Sequence, residues 1–260
     1  MGTASVQGQL WGEKARDWAE VQEGMFACLY QAVLQKINLG WGTAMLDIGC
    51  GSGVFAEMAA LRGAQISGLD AAEALLAIAR QRAPEGDFRH GDMEELPFAD
   101  QSFDVVTGFN SFQYAANPAN ALKEARRVAR KGGSLIIAVW GKPENSDAKV
   151  YFAAIGSLLP PPPLGTPGPF ALSLDGALEG LVAHAGMYPG AVQDVDCLWE
   201  YPDDETLLRG LLSAGPGVRV VQHAGEAAAR QAVLKSLAPF RTASGEYKFK
   251  NNARYMIVKT

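Results

Sequence analysis

Between residues 44 and 140, apolar positions gather into short runs separated by longer, more polar stretches. The runs Ala44–Ile48, Gln65–Leu69, Asp87–His90, Phe103–Phe109 and Ser134–Trp140 have strand length and alternate apolar with polar or small side chains. The intervening stretches Val54–Arg62, Ala72–Arg82 and Ala119–Lys131 repeat apolar residues at helical spacing. The last of these has readable ends: Asn117 can cap it, Pro118 suits its first turn, and Gly132 suits its exit. Strands alternating with helices of this length predict βαβ units and a largely parallel sheet. Right-handed crossovers then place ligands at the carboxyl ends of the strands.

On either side of this region the pattern changes. Trp11, Ala15, Trp18 and Gln22 recur at helical spacing, and Phe26, Tyr30, Val33, Leu34 and Ile37 do so again before Gly40 and Gly42 break the chain. After Trp140, a helical stretch over Asp147–Leu159 runs into LLPPPPLGTPGPF, whose prolines forbid regular structure. A helix near Gly176–Ala185, a strand near Ala191–Trp199 and helical segments between Asp203 and Pro239 come next, and two strand-like pieces close the chain, Glu246–Lys250 and Ala253–Lys259. The expected division is residues 1–42 as N-terminal helices forming part of a lid and 43–141 as the Rossmann-like ligand-binding core. Residues 142–202 then carry connecting helices, the Pro-rich loop and a strand, 203–245 a helical lid insertion, and 246–260 the last strands of the sheet.

Bulk properties narrow the function. The formal net charge is −5, and the densest basic stretch, Lys123–Lys131, is spread around a helix. A nucleic-acid partner needs a concentrated basic face, so none is expected. The longest apolar run, Leu135–Trp140, is far too short to cross a bilayer. MGTASVQGQLW lacks the basic and apolar regions of a secretory signal, and Val6 breaks the myristoylation pattern. Cys28, Cys50 and Cys197 are scattered, with no metal-ligand spacing, which suits a reducing compartment. The expectation is a cytoplasmic protein without a metal or a membrane anchor; no exposed heptad or obvious oligomer interface is legible.

The candidate chemistry starts at MLDIGCGSG, residues 45–53, where glycines at alternate positions come after the first strand. A dinucleotide turn needs its third glycine at the position occupied by Val54; here the third is Gly53. Asp47 stands at the mouth of the turn, where it would repel a pyrophosphate by an amount on the order of several kcal/mol. That disfavours an NAD-dependent oxidoreductase and favours a cofactor that is cationic and free of phosphate. S-adenosylmethionine (SAM) is such a molecule, carrying a sulfonium, an ammonium, a ribose diol and an adenine. Acidic residues stand near successive strands: Asp47, then Asp70 in GLDAA, Asp92 in RHGDMEELPF and Asp104 in DQSFDVV. Asp70 lies about twenty residues past the first glycine, the distance at which a carboxylate meets a ribose diol. Asp92 is placed to accept from an adenine amino group, with Met93 as an apolar plate beside the ring.

Taken together, residues 44–140 resemble the class I SAM-dependent methyltransferases, close to the branch of ubiquinone and menaquinone biosynthesis. LDIGCGSG, GLDAA, GDMEELPF, SFDVVTGFNSFQY and the helix ending ARKGG before SLIIAVW carry the resemblance. It implies a Rossmann-like, seven-stranded, mostly parallel sheet with an antiparallel last strand, and SAM as cofactor. It also implies that Gly49, Gly51 and Gly53 form the turn beneath the methionine portion, with Asp47 orienting turn and ammonium. Asp70 would hold the ribose with Ala71 beside it, Asp92 and Met93 would address adenine, and Asn110 would contact the methionine part.

The acceptor side departs from the family's better-marked branches. After the fourth strand stands GFNSFQYA, not the amine-methylating (D/N)PP(Y/F) pattern, and it lacks the histidine of many quinone-type members. The expected function is methyl transfer to a small, apolar or aromatic molecule, with O-, C- and N-methylation all open; the alternative is a SAM-binding sensor or partner subunit without transfer. Candidate acceptor-facing residues are Trp18, Gln113, Tyr114, Trp140 and His223, and Trp11 and Tyr30 could join Trp18 and Trp140 in an aromatic pocket. At helical spacing Trp11, Trp18 and Tyr30 are more often core, and packing accounts for Tyr114 equally well. His90 and His184 have structural explanations at a strand end and a helix C-terminus, and Cys50 is expected to be a small filler.

Overall fold

A computed structural model describes residues 2–163 and 166–260. The two central residues of the proline-rich loop lie outside the described residues. Seven strands form one sheet: β1 (Ala44–Ile48), β2 (Gln65–Asp70), β3 (Asp87–His90), β4 (Phe103–Phe109), β5 (Ala129–Trp140), β6 (Val192–Tyr201) and β7 (Tyr247–Lys259). Their order is β3-β2-β1-β4-β5-β7-β6. β1 pairs in parallel with β2 and β4, β2 with β3, and β4 with β5, while β7 is antiparallel to both β5 and β6. This is the mostly parallel, Rossmann-like sheet expected from the sequence. The strand order reverses between β1 and β4, so a crevice opens at the carboxyl ends of these two strands, where open α/β sheets bind ligands.

The helices are α1 (Ala4–Gly12), α2 (Ala15–Asp17), α3 (Ala27–Leu34), α4 (Val54–Ala60), α5 (Glu73–Arg82), α6 (Pro118–Val128), α7 (Lys149–Gly156), α8 (Ala177–His184), α9 (Asp204–Leu211), α10 (Gly215–Ala224) and α11 (Glu226–Leu237). Alternate side chains of each strand enter opposite cores. Met45, Val105 and Ile136 face one core with α3, α4, α5, α7 and α9–α11, whereas Leu46, Val106 and Ile137 face α6 and α8. The cap of α6 is as expected: the Asn117 side-chain oxygen accepts from Ala119 N at 3.1 Å and Asn120 N at 3.3 Å.

Four differences from the sequence reading have clear physical causes. α6 ends at Val128, three residues before the predicted end, because β5 starts pairing at once, Ala129 opposite Phe103. Gly132, expected at a helix exit, instead supplies a left-handed residue (φ 77°) where the β4–β5 register shifts between Phe103 and Val105. The two C-terminal strand pieces are one strand, β7, because its polar centre is paired to β6: Asn252 donates to the Asp196 carboxylate at 2.9 Å and Arg254 to that of Asp194. Finally, Cys28 on α3 and Cys197 on β6 form a disulfide, against the expectation that the scattered cysteines suit a reducing compartment. They lie 169 residues apart in sequence, and only the packing of α3 on the far edge of the sheet brings them together. Cysteine usage therefore no longer argues for a reducing compartment. Among the described residues, no helix is long and apolar enough to cross a membrane.

The N-terminal segment matters most for the crevice. α1 packs on α5 and α10, with Trp11 seated against the backbone of Gly215. The chain then winds through a π-helical turn, Trp18–Gln22, and a 3-10 turn, Glu23–Phe26, before α3. The extra residue in the π turn rotates the start of the 3-10 turn inward. The Glu23 amide bonds back to Trp18 O, and the Glu23 side chain is buried.

Candidate active site

The turn after β1 is hung on β2 by backbone bonds. Gly49 N and Cys50 N both donate to Leu69 O, at 2.7 and 3.1 Å. Gly51 N donates to Asp70 Oδ2 and Ala72 N to Asp70 Oδ1, both at 2.8 Å. Asp70 thus braces the turn and the start of α5, and each of its oxygens keeps acceptor capacity for a ligand. Gly49, Gly51 and Gly53 have φ values of 72°, 56° and 83°, the left-handed region where a side chain is strained. A Cβ on Gly51 would lie 2.8 Å from Glu23 Oε1, and one on Gly53 would lie 2.9 Å from the Ala79 Cβ, so the first glycine pair shapes the ligand side and Gly53 seats α4 on α5.

Above this turn lies a cavity bounded by the carboxyl ends of β1, β2 and β4 and by the N-terminal segment, the place where open α/β sheets hold small molecules. Its walls include Asp47, Gly49, Gly51, Asp70, Ala71, Asp92, Met93 and Asn110, which are eight of the nine residues expected to bind cofactor. Asn110 has φ 50°, a conformation Asn tolerates, and its side-chain oxygen is buried without a partner. Asp92 caps its own loop through Glu94 N at 2.9 Å. At the deeper end, Tyr30, Phe55 and Phe109 form an aromatic wall with ring centroids 4.4–5.7 Å apart, next to Phe26. α1 closes the other side: Thr3 Oγ1 donates to Tyr114 O, and the backbone of Gly2 and Gly8 sits directly on Asp92 and on Ala71 O.

Of the residues expected to face an acceptor, Trp18 and Tyr114 line the cavity. Gln113 does not, although its side-chain oxygen is buried and unpaired next to it. Trp140 lies in the core, its ring 5.2–5.8 Å from those of Phe26, Phe152, Phe170 and Trp199. His223 is exposed in the last turn of α10 and outside the lining. Burial raises the Tyr114 hydroxyl to about 12, so it does not act as a base near neutrality.

Sequence reasoning missed Glu23. It is 4% exposed, accepts from Ser52 N at 3.2 Å and from Ser52 Oγ, and has Arg82 at 3.5 Å. Burial lifts its carboxyl to about 7 against the pull of Ser52 and Arg82. Burial likewise lifts Asp47 to about 7, opposed by the Thr107 hydroxyl at 2.7 Å and assisted by repulsion from Asp70. Asp70 is raised by burial against the backbone bonds of Ala72 and Gly51. Four carboxyl groups, those of Glu23, Asp47, Asp70 and Asp92, therefore share one crevice, with Arg82 as their one ion-pair partner among the described residues. A cationic ligand relieves this excess; an anionic one worsens it.

A methyltransferase-domain family matches residues 46–137. The chain is 36% identical over 121 residues to a ubiquinone biosynthesis O-methyltransferase of Hahella chejuensis, covering 45% of this chain and 50% of the relative. It is 37% identical over 111 residues to a demethylmenaquinone methyltransferase of Renibacterium salmoninarum, covering 43% and 47%. The matching part of the chain thus spans about half the length of these curated relatives. Among solved structures, the [4+2]-cyclase SpnF superposes with TM-score 0.55 at 22% identity, over 89% of this chain and 80% of the cyclase. Residues 46–137 thus match a methyltransferase domain, and this region is similar in sequence to curated methyltransferases of ubiquinone and menaquinone biosynthesis.

The cavity fits the cofactor that goes with this domain. The glycine cradle is one that a Cβ would fill, and Trp18 Nε1, Asn110 Oδ1 and Ser111 Oγ line the cavity as buried polar atoms without partners.

Proposed function

We propose that this protein transfers a methyl group from SAM to a small, apolar or aromatic acceptor lodged against Tyr30, Phe55 and Phe109. The observation that carries this reading is the excess of buried carboxyl groups over cations around a glycine cradle that opens onto an aromatic wall. Asp70 holds the ribose hydroxyls while keeping the turn closed through Gly51 N. Asp92 and Met93 take the adenine, and Asn110 with Gly49 takes the methionine portion. When bound, SAM supplies an electrophilic methyl group bonded to a positively charged sulfur. The chain contributes alignment and exclusion of water: orientation alone is worth roughly 7–11 kcal/mol, and α1 roofs the crevice through Thr3 and Tyr114. Proton acceptors at the cavity are carboxylates rather than imidazoles, since none of the three histidines lines it.

Incubating the protein with methyl-labelled SAM and fractionated small-molecule extract should transfer label to an organic-soluble product. A panel of quinols, catechols and apolar carboxylates then defines the acceptor. Label confined to SAM across all fractions would overturn the reading. It would favour the second one, a SAM binder without transfer, which draws support from a cyclase having this same fold.

A further inference from the structure

Two groups from the N-terminal segment converge on one point of the cradle, and neither is absorbed by the roles above. The place where a Cβ of Gly51 would stand lies 2.8 Å from Glu23 Oε1 and 3.6 Å from Trp18 Nε1. Trp18 Nε1 is a buried donor without an acceptor, and it borders the cavity. A buried donor left unpaired is destabilising, so its position calls for an acceptor delivered from outside the chain. Glu23 offers the complementary half. Each of its oxygens accepts one bond from Ser52, and an ionised carboxylate has about four acceptor positions. A donor and an acceptor held side by side over a glycine turn match a paired carboxylate and ammonium, the chemistry of an α-amino acid.

Resting on the reading that this cavity takes SAM, we infer that Trp18 and Glu23 form a clamp for the amino-acid end of the cofactor, Trp18 Nε1 donating to its carboxylate and Glu23 accepting from its ammonium. The clamp lies on the segment that roofs the site, whereas the glycine turn belongs to the sheet. Arg82 fastens the two, with Nη2 donating to Ala19 O at 2.9 Å and Nη1 to Ser52 Oγ at 2.5 Å and to Ser52 O at 3.2 Å. A ligand bridging Trp18, Glu23 and the turn therefore ties roof to floor. A nucleoside lacking the amino-acid end fills the adenosine pocket without making that tie. The site thus discriminates the whole cofactor from its clipped nucleoside through its roof.

The test compares two ligands in the intact protein, S-adenosylhomocysteine and 5′-methylthioadenosine, by titration calorimetry. Trp18→Phe keeps an aromatic ring against Trp11, 4.8 Å away, and removes only the donor; Glu23→Gln keeps the shape and removes the charge. Each variant should weaken S-adenosylhomocysteine by about tenfold or more, the range for a bond to a charged group, and change 5′-methylthioadenosine by less than about twofold. Thermal melts identify a variant that has failed to fold, and the other then decides. Unchanged S-adenosylhomocysteine affinity, or parallel loss of both ligands in a folded variant, overturns the clamp. Failure of the wild-type protein to bind either ligand overturns the SAM reading itself and the clamp with it.

Discussion

Cofactor binding should be linked to proton release, with the affinity for SAM rising between pH 6 and pH 7.5. The responsible groups are Glu23 and Asp47, each lifted by burial to about 7. With a pKa near 7, roughly one tenth of such a carboxyl is ionised at pH 6 and about three quarters at pH 7.5. A cation that demands one of them ionised therefore gains roughly eightfold in affinity across this window, and approaches ~60-fold if it demands both. The upper limit is set by the ligand, whose own α-amino group loses its proton near about 8. The sign comes from charge: bound cation stabilises the ionised acids, lowers their pKa and expels protons. Calorimetry at pH 6.5 in two buffers of different ionisation heat counts those protons directly. Asp47→Asn should remove part of the slope, and Asp47→Asn with Glu23→Gln should flatten it. Proton uptake on binding, or an affinity that falls from pH 6 to 7.5, would refute the electrostatic reasoning.

Other consequences are simpler. Ligand-free stability should fall as pH rises from about 4.5 through 7, because the folded protein holds protons on Glu23 and Asp47 that the unfolded chain has already released; thermal melts should show a decline of a few kcal/mol that Asp47→Asn reduces, and a flat profile counts against buried, raised carboxyls. Gly51→Ala puts a Cβ against Glu23 Oε1 at a left-handed φ of 56°, so SAM binding measured by calorimetry should collapse while the chain stays folded; retained affinity would mean the cradle is looser than its contacts. Asp70→Ala removes the acceptor of Gly51 N and Ala72 N together with the proposed ribose contact, and should weaken SAM by about 1–3 kcal/mol or more; unchanged affinity in a folded variant would remove Asp70 from the site.

The parallel sheet was legible because strand-length apolar runs and helical spacing both point to βαβ units, and the pairing of β1 through β5 is their consequence. The floor of the site was legible for the same reason. Gly49, Gly51, Asp70 and Asp92 stand at strand ends, and strand ends are fixed by local pattern. Its roof was not. Glu23 reaches the cavity only because a π turn at Trp18–Gln22 adds one residue to the winding, and a periodicity of 3.6 cannot register that. α1 escapes notice because Ala4–Gly12 buries no residue fully and carries no apolar stripe. Tyr30 can be read from the sequence either as core or as a pocket aromatic, and Phe55 only as core; both are buried, and the cavity ends on their rings. Trp140 and His223 show the reverse error. An aromatic at a strand end and a histidine in a lid resemble acceptor contacts in sequence, yet one is enclosed by four aromatic rings and the other faces solvent.

The most direct test of the central claim is a calorimetric titration of the purified chain with SAM and, separately, with NAD at pH 7.5. The account predicts saturable binding of the sulfonium nucleoside at one site and none of the diphosphate. Binding of NAD with no heat from SAM would contradict it.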